Sequence, residues 1–221
     1  MSPRAESALI VFAREPRAGA VKTRLAADLG GAAAAQIYAD LLARALQIAE
    51  TSQFAQCYLF AADPVEIDYF EGRLNPRRWR VRAQCGGDIG RRMHNALAAV
   101  LGEHEFSVLI GSDVADCTRA DLDLAWATLA CGRARAVIGP SADDGYWLIG
   151  LTEAHREVFR DIAWSTAAVL AATQSRLAAL GLEVVNLTPR HDVDDVGDLC
   201  FMRSPDTAAE MGSRRRRNAK G

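Results

Sequence analysis

Residues 135–151, RAVIGPSADDGYWLIGL, hold two apolar blocks with only the polar stretch SADDG between them. A gap that short holds no helix, so 135–140 and 146–151 are expected to form a hairpin or a sharply bent pair of strands. Further strand-like runs occupy 8–13, 55–61, 79–84, 106–113 and 182–187. Apolar residues recur at helical spacing over 32–50, 89–103, 118–132 and 165–181. Thr118 and Asp121 stand at capping-box spacing and Gly132 ends that helix, while Ser165 and Gly181 are expected to bracket the last one. Strands alternating with helices build a mostly parallel sheet covered on both faces, and the hairpin makes it mixed. The expected fold is three-layer α/β/α.

The chain has 221 residues, half of them hydrophobic, which is enough for a sizeable core. The expected organisation is one domain over 1–202 and a basic, disordered tail over 203–221. The net charge of −2 hides an asymmetry, because the tail holds six of the 26 basic residues and two of the 28 acidic ones. The body is therefore acidic, which argues against a nucleic-acid groove. Arg214–Arg217 reads as a solvated tail. Five scattered cysteines without a C-x-x-C pair read as reduced. With no signal pattern and no run long enough to span a membrane, a cytoplasmic location is expected.

In an open α/β sheet, ligands gather at the carboxyl ends of the strands. The loop after the first strand carries Arg14, Arg17, Lys22 and Arg24, cations that suit a phosphate chain. It is not a Walker A loop: Val21 and Pro16 stand where glycines are needed. The bland alternative is a solvated helix start. Asp113, in LIGSDVAD, ends a buried strand and faces a site or caps the next helix. Asp192, Asp194, Asp195 and Asp198 cluster after the last strand without EF-hand spacing, since Val196 and Arg203 fill two ligand positions. Such a cluster calls for a cation, although Asp195 and Asp198 also read as a plain acidic helix start. Carboxylates on two strand ends facing a cationic loop suit Mg²⁺ bridging a diphosphate. Asp143 and Asp144, on the hairpin turn, are candidate bases toward an acceptor hydroxyl, and Gly145 permits close approach of a ligand; an acidic turn is the plain alternative. His94 reads as packing or surface, and His191 as a neighbour of the aspartates.

FAREPRAGAVKTRLA, GGDIGRRMHNAL, LIGSDVAD, VIGPSADDGYWLIGL, IAWST and DVDDVGDL, in this order, resemble a bacterial family of GT-A-like transferases. The family is called glycosyltransferase-like, in part arsenosugar-biosynthesis glycosyltransferase, and is related to 2-phospho-lactate guanylyltransferase. The resemblance spans about residues 7–200. It implies a nucleotide-diphospho-sugar transferase fold, with Lys22 and Arg24 on phosphates and Asp113 and Asp194 on Mg²⁺ or Mn²⁺. It also implies Gly86, Gly87, Asp88 and Gly90 near the nucleoside, and Gly145, Tyr146, Trp164, Ser165 and Thr166 on the acceptor side. The chain departs from the family pattern at Ala115, where proline is common, at Asp144, where glycine is usual, and at Arg91, where an acid is usual.

Three functions are therefore in contention. The first is a metal-dependent glycosyltransferase taking a nucleotide-diphospho-sugar and a small-molecule acceptor. The second is a nucleotidyltransferase moving NMP from an NTP to a phosphorylated small molecule. The third is a non-catalytic nucleotide-binding protein. No nucleic-acid partner and no membrane span are expected.

Overall fold

A computed structural model describes residues 5–202; the basic tail from 203 onward lies outside the described residues. Seven strands form one sheet: β1 (Ala5–Ala13), β2 (Gln56–Ala61), β3 (Trp79–Ala83), β4 (His104–Ile110), β5 (Ala136–Pro140), β6 (Tyr146–Leu151) and β7 (Val184–Asn186). Their order is β3-β2-β1-β4-β6-β5-β7. β6 alone runs against its neighbours, pairing antiparallel with both β4 and β5, while the remaining pairs are parallel. The hairpin expected over 135–151 is thus present, and it is what makes the sheet mixed.

The helices are α1 (Thr23–Leu29), α2 (Gly31–Glu50), α3 (Ile67–Glu71), α4 (Ile89–Leu101), α5 (Arg119–Ala130) and α6 (Val169–Ala179). Alternate strand residues feed two cores, as the period of two in an extended chain requires. Leu9, Val11 and Ala13 point with Val108, Ile110 and Leu148 toward α2 and α5, where Leu42 and Leu122 meet them. Ala8, Ile10 and Phe12 point with Leu109 and Ile149 to the other face, toward Leu97 of α4 and Leu177 of α6. Strands buried on both faces have no polar side to show, which is why they read as continuous apolar runs.

Two local features decide helix ends. The Thr118 side chain accepts from the Asp121 amide while Asp121 accepts from the Thr118 amide, so the expected capping box starts α5. Ser165, by contrast, does not start α6. Its φ of 62° lies in the left-handed region, a turn over Thr166–Val169 follows it, and the helix begins only at Val169 with Ala168 as its N-cap. Among the described residues no helix is long and apolar enough to cross a membrane.

Candidate active site

β1, β4 and β7 run parallel, so the loops that follow them emerge on the same side of the sheet. The first loop ends at Lys22, which has φ 46° and precedes α1. A left-handed lysine is uncommon and points to a constraint from its surroundings. Its ammonium lies 2.7 Å from Asp113 Oδ2 and 3.0 Å from Asp194 Oδ1. The lysine side chain is 7% exposed, against 37% and 47% for the two carboxylates. Burial works against its charge, but the paired carboxylates outweigh burial and hold the lysine above its usual range. Arg24 reaches Asp194 Oδ2 from the rim at 3.5 Å.

The three sequence-distant pieces are fastened by backbone. Residues 113–115 lie antiparallel to 191–193, with the Val193 amide donating to the Asp113 carbonyl and the Ala115 amide to the His191 carbonyl. In that extended stretch Val193 is fully buried, and Asp192 and Asp194 fall on the opposite side. Asp113 folds back over its own strand end because Gly111 has no side chain: a Cβ there would stand 2.9 Å from Asp113 Oδ1. Tyr38 ties the first loop to the second, accepting from the Arg14 amide at 2.9 Å and hydrogen bonding Ser112 Oγ at 2.8 Å.

Asp192 sits beneath this cluster. Burial, together with the carboxylates of Asp113, Asp143 and Asp194, pushes it up to about 8, with Lys22 pulling the other way. Its Oδ1 is buried without a hydrogen-bond partner. Carboxylates therefore outnumber the cations among them. That surplus and the orphaned oxygen suit an added cation. Even so, no group of three or more His, Cys, Asp or Glu side chains among the described residues is arranged to hold a metal ion.

Other members of the aspartate cluster are structural. Asp198 accepts from the amides of Asp194 and Asp195, and Asp195 accepts from Gly197, which together open a 3-10 turn over Gly197–Met202. His191 is bound to Asp116, whose carboxylate takes its amide and its Nδ1, each at 2.9 Å, and its ring stacks on Phe201. Arg190 grips Asp121 with two nitrogens and anchors the segment to the start of α5.

A cleft of about 790 Å³ opens over these groups. Of the residues expected at the site, Arg14, Lys22, Arg24, Asp113 and Asp194 line it, as do Tyr146 and Ser165. Tyr38, Gln84, Arg92 and Ser112 also line it and were not singled out by the sequence; Gln84 and Arg92 merely flank the glycine loop. Asp88, Gly90 and Trp164 line a different cleft. Asp88 is the N-cap of α4, accepting from the Arg91 amide at 2.7 Å. Gly86, Gly87, Asp143, Asp144, Gly145 and Thr166 line neither cleft. Asp143 holds the hairpin turn through Ser141 and Gly145, and Asp144 occupies a left-handed position at φ 65°. Thr166 caps its own turn against Ala163 and Ala168.

The mixed seven-stranded sheet and the cleft at its strand ends define a nucleotide-diphospho-sugar transferase-like, GT-A-like α/β fold. The chain belongs to the family described as "Uncharacterized protein conserved in bacteria (DUF2064)", whose model matches residues 45–166. It is 30% identical to a proposed nucleotide-diphospho-sugar transferase from Desulfovibrio desulfuricans G20, with 96% of each chain covered and a TM-score of 0.82. More distant folds include Rv0371c of Mycobacterium tuberculosis H37Rv in complex with manganese, at 19% identity and TM-score 0.55, covering 91% of this chain and all of that one. Another is 4-diphosphocytidyl-2C-methyl-D-erythritol synthase of Anaerococcus prevotii DSM 20548, at 10% identity and TM-score 0.59, covering 89% of this chain and 94% of that one. No curated protein matches the chain.

Proposed function

We propose that this protein is a glycosyltransferase that takes a nucleotide-diphospho-sugar donor in the cleft over Lys22, Asp113 and Asp194. The observation that carries the reading is the convergence of Lys22 with both aspartates, because it sets a cation between two carboxylates beneath a cleft with a basic rim. The likeness to the Desulfovibrio protein supports transfer from a nucleotide-diphospho-sugar. Arg14, Arg24 and Arg92 line the same cleft and suit the donor phosphates. Lys22, buried and charged, steadies the negative charge that grows on the departing nucleoside diphosphate. Asp113 and Asp194, with Asp192 behind them, would hold Mg²⁺ or Mn²⁺, which when bound supplies further neutralisation of that leaving group. Asp143 and Asp144 lie on the hairpin turn outside this cleft, Asp143 being engaged by Ser141 and Gly145, and we assign neither of them a part in acceptor activation.

Nucleotidyl transfer is the second reading, favoured by the four cations Arg14, Lys22, Arg24 and Arg92 around one cleft, a density that also suits a triphosphate. Calorimetry with nucleotide sugars and NTPs, each with and without Mg²⁺ or Mn²⁺, separates the two. Glycosyl transfer predicts metal-enhanced binding of a nucleotide sugar and release of nucleoside diphosphate. Tight binding of NTP alone, with pyrophosphate released, contradicts it. No binding of either class leaves neither reading standing.

A further inference from the structure

A second cleft of about 750 Å³ lies across the first turn of α4 from the one just described. Ile89, Arg92 and Met93 face the first cleft, whereas Asp88, Arg91, His94 and Asn95 face the second. The far wall is the 3-10 turn Arg156–Phe159 and the strap from Arg160 to Trp164. The two walls lock together at Gly90, where a Cβ would run into the Trp164 indole and stand 2.7 Å from the Phe159 carbonyl oxygen. Asp161 and Ser165, both at positive φ, bracket Trp164 in the strap. Such backbone persists only where the surrounding packing over-determines it, so the indole is held in place as a wall of the cleft.

The charges lining this cleft do not cancel. Asp88 is committed to capping α4, and Asp161 pairs with Arg160 at 3.2 Å. Neither the Arg91 nor the Arg156 guanidinium has a hydrogen-bond or ion-pair partner among the described residues. Two unmatched arginines in one cleft stand out on a chain whose body is otherwise net acidic. A guanidinium fork matches the oxygens of a phosphate, and an indole beside it offers a flat apolar face.

We propose that this cleft is a second ligand site, separate from the donor cleft, for a phosphate-bearing small molecule. Arg91 and Arg156 clamp the phosphate and Trp164 packs against the remainder of the ligand. The proposal does not depend on the reaction assigned to the first cleft. Two sources share this chemistry, free inorganic phosphate and a sugar phosphate, and Trp164 distinguishes them.

The test titrates inorganic phosphate and, separately, glucose 6-phosphate into the full chain by calorimetry, following tryptophan fluorescence in parallel. Four proteins are compared: wild type, Arg91→Ala/Arg156→Ala, Trp164→Phe, and Lys22→Met/Arg24→Ala, which removes cations from the first cleft. The expected result is one phosphate site that survives in Lys22→Met/Arg24→Ala and weakens about tenfold to a hundredfold in the double arginine variant. The fluorescence response to ligand is expected to vanish in Trp164→Phe. Glucose 6-phosphate binding more tightly than phosphate in wild type, with that advantage lost in Trp164→Phe, identifies a sugar phosphate as the occupant; equal binding identifies free phosphate. Binding unchanged in Arg91→Ala/Arg156→Ala overturns the proposal, and so does an absence of any site surviving in Lys22→Met/Arg24→Ala. Both arginines are exposed, and Arg91→Lys and Arg156→Gln singly provide milder versions with the same expected direction.

Discussion

Lys22 and Asp113 stand 91 positions apart in the chain, yet the lysine ammonium lies 2.7 Å from the Asp113 carboxylate. The same ammonium reaches Asp194 at 3.0 Å, so one cation fastens the ends of the loops after β1, β4 and β7. A buried charge with two partners stabilises the fold only while all three are present.

Lys22→Met leaves two carboxylates facing each other without their cation. In a chelator-containing buffer this variant is expected to lose about 1–2 kcal/mol of stability, the carboxylates being partly screened by solvent. Millimolar Mg²⁺ or Mn²⁺ is expected to restore most of that loss, because a divalent ion then neutralises the pair. Thermal unfolding with and without metal reads both effects, and a loss that metal does not relieve counts against the paired aspartates as a metal site.

Asp192 sets a pH dependence. Its pKa in the folded protein is raised to about 8 by burial and neighbouring carboxylates. The folded state therefore holds a proton that the unfolded chain releases above the ordinary aspartate range. Stability from this group is complete at low pH and drains away as pH rises toward about 8. In metal-free buffer, Asp192→Asn is expected to flatten that decline and to exceed wild type at pH 8 by at least about 1 kcal/mol. Denaturant melts at pH 5 and pH 8 check it, and parallel shifts of both proteins at both pH values contradict it.

Asp144 occupies a left-handed position at φ 65°, where glycine is relaxed and most side chains are strained. Asp144→Gly is expected to stabilise the protein by about 1 kcal/mol, raising Tm by roughly 2–4 °C. A calorimetric scan showing no gain would mean that the aspartate side chain compensates its own backbone.

Gly90 is the opposite case, since its space is already taken by the Trp164 indole. Gly90→Ala is expected to cost about 1–3 kcal/mol and to shift tryptophan emission as the indole is displaced. Unchanged emission together with full stability would show that α4 and the strap do not lock there.

The layered fold was legible because the central strands β1, β2, β5 and β6 are nearly continuous apolar runs and the long helices repeat their apolar residues at helical spacing. The hairpin announced itself by the five-residue stretch SADDG, too short to hold a helix. Short elements escaped: α1 and α3 have seven and five residues, too few to show a helical period. Ser165 misled because a serine before an apolar stretch looks like a cap, whereas its φ is decided by the packing of the strap. Lys22, Asp113 and Asp194 were visible as types of residue in suitable places, but their meeting depends on three loops brought together by the sheet. Asp192 was visible only as one of a cluster. Its burial follows from the pairing of 191–193 with 113–115, which no local pattern reveals.

The cleft over Lys22, Asp113 and Asp194 is proposed to transfer a glycosyl group from a nucleotide-diphospho-sugar. Product analysis by mass spectrometry tests it most directly, after incubation with a panel of nucleotide sugars and NTPs in Mg²⁺ or Mn²⁺, with small-molecule alcohols and phosphorylated compounds added as acceptors and water as the default acceptor of the glycosyl group. Free nucleoside diphosphate from one nucleotide sugar is predicted, with turnover reduced about a hundredfold or more in Asp113→Asn and in Asp194→Asn. Pyrophosphate released from an NTP, or nucleoside diphosphate released equally well by both variants, would contradict it.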